Sequence, residues 1–238
     1  MIVQSVPMVT IFVHGAGRGG AAAWSAQRDA PGFAGAVWLD WREQVTTPGP
    51  LAADFVDSQL EAILARAWTS LDVVAHSGGA LAALLAAQRS PGRVRSLVLL
   101  EPACFALARG RAAVEEHVSA MAPALARAGD PGVDDVEYAR RFFAALGAPA
   151  PPAETPEHLL ALRRLRTVPA PWAVDLDPTV VEQTPTLVIT GGWLPLYEET
   201  AQALAELSAR HEVLTGHGHR PQDHPDANAL IRAFQAAP

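Results

Sequence analysis

Short apolar runs alternate along the chain with stretches whose apolar residues recur every three or four positions. The runs "MVTIFV" (8–13), "GAVWLDW" (35–41), "SLDVVA" (70–75), "VRSLVLL" (94–100) and "TPTLVIT" (184–190) read as strands, and "HEVLT" (211–215) as a shorter one. Helical spacing falls between and after them, at 21–30, 51–68, 79–90, 197–210 and 226–236. The stretch at 79–90 is apolar almost all round, which predicts a buried helix. This alternation predicts parallel βαβ units, so the expected fold class is α/β, a mostly parallel sheet flanked by helices.

The alternation stops between 104 and 183. That stretch holds helix-like pieces near 107–128, 134–146 and 157–167, separated by "GDPG" and "GAPAPPAE". The expected organisation is one core built from 1–103 and 184–238, with a helical insert at 104–183.

Composition narrows the functional classes. The chain has 238 residues, half of them hydrophobic and 18% charged, enough for a sizeable core. A net charge of −7 argues against nucleic acid, whose phosphates need a basic face. Every basic residue is arginine, which says little about mechanism. Cys104 is the single cysteine, so no internal disulfide and no cysteine metal site can form. No apolar run approaches the roughly 20 residues that span a bilayer, and "MIVQSVPMVTIFVHG" lacks the features of a signal peptide. The expectations are a cytoplasmic protein with a small-molecule substrate, no membrane partner, no metal and no cofactor. The oligomeric state is not legible.

Ligands of an open parallel sheet gather beyond the carboxyl ends of its strands. The segments that follow the strands are "HGAGRGG" (14–20), "LDWRE" (39–43), "AHSGGA" (75–80), "EPACF" (101–105), "GGWLPLYEE" (191–199) and "GHGHRPQDH" (216–224). They bring a serine, carboxylates and imidazoles to one edge. A hydroxyl is a poor nucleophile at neutral pH and needs a base, a group that orients the base, and oxyanion donors. Ala75-His76-Ser77-Gly78-Gly79 approximates the strand-to-helix elbow G-x-S-x-G, with alanine for the first glycine. Ser77 also suits the N-cap of the next helix. The "GAGRGG" stretch is not a dinucleotide loop, because its third glycine is misplaced and Asp40 is not in clear register.

With "FVHGAG", "AHSGG" and "GHGHRPQ" in this order, the chain resembles the α/β-hydrolase family from about residue 8 to its end. The resemblance implies that the insert is the family's cap over the site. Only seven residues precede "MVTIFV", so a sheet shortened at its N-terminal edge is expected. It implies Ser77 as nucleophile and His219 as base, with His217 and His224 as the less fitting histidines of that loop. For the orienting acid the family uses two places. One follows the strand after the insert, where Trp193 or Leu194 stands and Glu198 and Glu199 come later. The other follows the strand after the elbow helix, where Glu101 stands. Glu101 is the preferred acid, and its alternative is an ion pair with an arginine such as Arg18. The oxyanion donors implied are the amides of Ala16 and Gly78.

A serine at the elbow, where epoxide hydrolases of this family carry aspartate, implies acyl transfer to water. The expected activity is hydrolysis of a carboxylic ester or lactone of a small-to-medium hydrophobic substrate. A cofactor-independent lyase, oxygenase or cyclase using the same Ser-His pair is the alternative, and a non-catalytic ligand-binding member is the third reading. Gly15, Phe105, Trp172 and Trp193 are the candidate pocket residues. Trp24, Met121, Phe142, Phe143 and Leu194 fit either the pocket or ordinary packing.

Overall fold

A computed structural model describes residues 8–17, 19–40 and 55–237. Its sheet has six strands: β1 (Met8–Val13), β2 (Val37–Trp38), β3 (Ser70–His76), β4 (Val94–Leu100), β5 (Thr186–Thr190) and β6 (Arg210–Val213). Their order is β2-β1-β3-β4-β5-β6, and every neighbouring pair is parallel. The expected α/β class is thus observed. The expected shortening of the N-terminal edge and the first residues of the helix expected at 51–68 concern residues outside those described.

Strand alternation explains the two layers of core. Ile11, Val73, Leu97 and Val188 point to one face, where they meet α2 (Phe55–Leu64), α3 (Gly79–Arg89) and α8 (Pro195–Glu206). Phe12, Val74, Val98 and Ile189 point to the other, against Ala23 and Trp24, which precede α1 (Ser25–Arg28), and against α9 (Ala227–Ala236). Leu81 through Leu84 are fully buried, as the all-apolar pattern of α3 requires.

The differences from the sequence reading lie in short elements. The helix expected at 21–30 is a 3-10 turn, Gly20–Trp24, followed by the single turn of α1. β2 keeps two residues, because its ladder with β1 covers only Ile11 and Phe12. Between β4 and β5 the chain is helical: α4 (Ala112–Leu125), α5 (Asp135–Ala145), α6 (Pro156–Leu165) and the unexpected five-residue α7 (Thr179–Gln183). Met121, Val133, Tyr138, Phe142 and Leu165 give this segment a small core of its own. Among the described residues no helix is long and apolar enough to cross a membrane.

Arg166, at the end of α6, ties this segment together. Its guanidinium donates to Asp135 Oδ1 at 2.8 Å, to the Ala128 carbonyl at 2.8 Å and to the Val133 carbonyl, and it lies 5.0 Å from the Tyr138 ring centre. Arg166→Ala removes the donor to Asp135 and to the Ala128 and Val133 carbonyls. The expected cost is about 2 kcal/mol, measured as a lower urea midpoint.

Candidate active site

The strand β3 ends in a sharp turn that only a small neighbourhood allows. Ser77 has φ 53°. The left-handed conformation costs an L-residue roughly 1–2 kcal/mol, and the ladder imposes it. The Ser77 amide donates to the Leu100 carbonyl at 2.9 Å, and its own carbonyl accepts from Ala80 and Ala103, both at 3.1 Å. Gly15 lies directly over it, since a Cβ there would stand 3.0 Å from Ser77 Cβ. Ser77 is thus not the cap: α3 starts two residues later, at Gly79, with Gly78 as N-cap and no side-chain capping bond.

Ser77 Oγ lies 3.2 Å from His219 Nε2, and His219 Nδ1 lies 3.3 Å from Glu101 Oε2. Glu101 sits one residue beyond β4, also at positive φ (45°), and is fully buried. A buried carboxylate must be surrounded by donors. Oε1 accepts from the Gly191 amide at 2.6 Å, and Oε2 from the Trp193 indole at 3.0 Å. Because a carboxylate only accepts, His219 carries its proton on Nδ1, and Nε2 is free to accept from the Ser77 hydroxyl.

The other candidate acids are committed elsewhere. Glu198 accepts from the Gly192 amide at 3.1 Å and from the Thr190 hydroxyl at 3.0 Å. Glu199 accepts from the Ala113 amide at 2.8 Å, near the start of α4. His217 and His224 face each other, with ring centres 5.5 Å apart. Arg18 lies outside the described residues.

The residues expected to supply the oxyanion donors adjoin Ser77 and Gly15 in the sequence. Gly78 is the N-cap of α3, where the first amides lack intrahelical acceptors. Ala16 is half-buried in the loop that carries Gly15.

The expected pocket residues take more varied positions. Trp193 is half exposed, and its indole N–H is spent on Glu101. Phe105 is buried 6.2 Å from the Tyr197 ring and 4.9 Å from the His117 ring. Trp172 stands edge-on to His117 at 6.2 Å. Tyr197 in turn lies 4.9 Å from the His219 ring. Rings therefore run in contact from His219 to the helical segment. Tyr197 and His117 were not singled out in the sequence, because neither directly follows a strand. Trp24 belongs to the core under the sheet, while Met121 and Phe142 belong to the core of the helical segment, with Phe143 packed against it. Burial pushes the Cys104 thiol up to about 12, so it stays an unreactive packing group. Among the described residues no cluster of His, Cys, Asp and Glu is placed to hold a metal ion.

One close approach fixes the histidine loop on the loop that follows β5. A Cβ on Gly191 would collide with the Gly218 carbonyl oxygen and stand 3.0 Å from Trp193 Cδ1. Gly191→Ala is therefore expected to cost about 2 kcal/mol, and to move the His219 ring signals in NMR spectra. Two histidines also set a pH dependence. Burial holds His76 well below 6.5 and lowers His117. Below 6.5 the unfolded chain takes up protons that the folded chain refuses. Their contribution to stability is thus complete above that value and declines as the pH falls. The melting temperature should fall between about pH 6.5 and 5, and His76→Gln should flatten that fall.

The profile of the Alpha/beta hydrolase family matches residues 10–229. Among solved structures, a carboxylesterase from the thaumarchaeon Nitrososphaera gargenis superposes with a TM-score of 0.63 at 14% identity, covering 98% of this chain and 90% of that one. The M145A mutant of an epoxide hydrolase from Bacillus megaterium gives 0.60 at 15%, covering 98% and 95%. MenH from S. aureus gives 0.58 at 15%, covering 98% and 94%. No curated protein sequence matches the chain significantly. At these identities the structures speak for the fold, and the profile match over most of the length places the chain in the α/β-hydrolase family.

Proposed function

We propose that the chain is a serine hydrolase that cleaves a carboxylic ester or lactone of a small-to-medium hydrophobic substrate. The observation that carries this reading is the continuous contact from Ser77 Oγ through His219 to Glu101, at 3.2 and 3.3 Å. In the proposed reaction His219 Nε2 takes the Ser77 proton as Oγ adds to the carbonyl carbon. Glu101 stabilises the imidazolium and holds it in register. The amides of Gly78 and Ala16 bind the oxyanion, and collapse expels the alcohol, protonated by His219. Water, deprotonated by the same nitrogen, then releases the acid and regenerates Ser77.

Gly15 supports the reading, because it leaves no side chain over Ser77. Phe105, Tyr197, His117 and Trp172 support an apolar or aromatic acyl group. The helical segment at 104–183 would act as the cap, joined to the core through Glu199 and the Ala113 amide. The carboxylesterase among the structural relatives agrees with this chemistry.

A fluorophosphonate probe should label Ser77, located by mass spectrometry, and Ser77→Ala should abolish both labelling and p-nitrophenyl butyrate turnover. Folded protein that neither labels nor turns over such esters would sink the hydrolase reading and favour the lyase, oxygenase or cyclase alternative. Glu101→Gln should lower kcat by about 10³-fold or more with the fold retained, as checked by circular dichroism.

A further inference from the structure

His76 adjoins Ser77, yet the proposed reaction gives it no part. It closes β3 on the face opposite Ala75, edge-on to Trp24 at 6.3 Å, and is 8% exposed. Its Nε2 lies 2.8 Å from the carbonyl oxygen of His219, and the two imidazole centres are 4.7 Å apart. A carbonyl oxygen only accepts, so the proton of His76 is on Nε2.

We propose that His76 is a positioning residue that anchors the backbone of the base-bearing loop, fixing the His219 imidazole against Ser77 Oγ. This rests on Ser77 and His219 being nucleophile and base. The anchor acts at the residue that carries the base, and it comes from the residue beside the nucleophile. Both partners of the proton transfer therefore share one rigid support. Gly216 and Gly218 both adopt positive φ just before His219, and Gly218 packs against Gly191.

His76 is held in its single-proton form. Burial is the main reason, the charges of the nearby His219, Arg220 and His14 act in the same direction, and the hydrogen bond to the His219 carbonyl opposes them. Of these, Arg220 is turned to Asp223 at 2.6 and 3.0 Å and to the Ala23 carbonyl at 3.0 Å. His14 faces Asp40 at 3.6 Å.

Two variants separate the N–H from the ring. His76→Phe keeps an apolar ring beside Trp24 and removes the donor, whereas His76→Gln keeps a donor and removes the ring. His76→Phe should lose about 10- to 100-fold in kcat, with KM within about twofold. His76→Gln should recover most of the loss. Full activity in His76→Phe, or equal impairment in both, overturns the proposal. A second measurement does not use activity: long-range proton–nitrogen NMR of 15N-labelled wild type. His76 should show a proton on Nε2 and no titration between about pH 5.5 and 8. A proton on Nδ1, or a midpoint near 6.5, overturns the proposal even where His76→Phe does not fold. Were Ser77 of the wild type to resist the fluorophosphonate, the hydrolase reading would fall, and the NMR result would still decide the His76 hydrogen bond.

Discussion

A carboxylate without access to water must be held by donors, and Glu101 is the group around which the loops beyond the carboxyl ends of β4, β5 and β6 are organised. Leaving such a charge unpaired costs several kcal/mol. The fold answers with donors from two other loops: the Gly191 amide and Trp193 indole after β5, and His219 after β6. Satisfying one buried charge therefore fixes the relative placement of three loops. The contact of Gly191 with Gly218 locks two of them together a second time. The left-handed backbone at Glu101 and at Ser77 is the strain that this arrangement stores.

Trp193 shows how the donor set is composed. It follows β5, where related proteins often carry the acid, and here it supplies a hydrogen-bond donor to the acid that follows β4. The position still serves the same imidazole through a different group. Glu198, further along, is drawn into a separate network with Thr190 and His211, at 3.0 Å from the threonine hydroxyl. Thr190 has one proton and gives it to Glu198, so His211 donates to Thr190 and cannot act as its base.

The parts of this structure that the sequence shows are those governed by one period or one neighbour. Buried strands announce themselves as apolar runs, and Glu101 is conspicuous because a charge ends such a run. Ser77 is legible for a related reason, a serine with glycines where a strand must give way to a helix. The parts that stay hidden depend on directions in space. Trp193 reads as a pocket wall until its indole is seen to turn toward Glu101. His76 reads as the variable residue of an elbow, since nothing local indicates that its ring reaches the carbonyl of a residue 143 positions away. The helix at Thr179–Gln183 is too short for periodicity to register. Tyr197 and His117 sit within helices, and their meeting with Phe105 follows from how α4 and α8 pack.

The ladder between β3 and β4 pairs His76 with Leu100, so Ser77 and Glu101 are the next residues of adjacent strands. Their separation is set by one rung of sheet, and not by the route the chain takes afterwards. The segment from α4 to α6, with its own small core, lies outside that rung. The chemistry-bearing pair and the helical segment can therefore drift apart in evolution at different rates, one constrained by backbone geometry and the other open to repeated redesign.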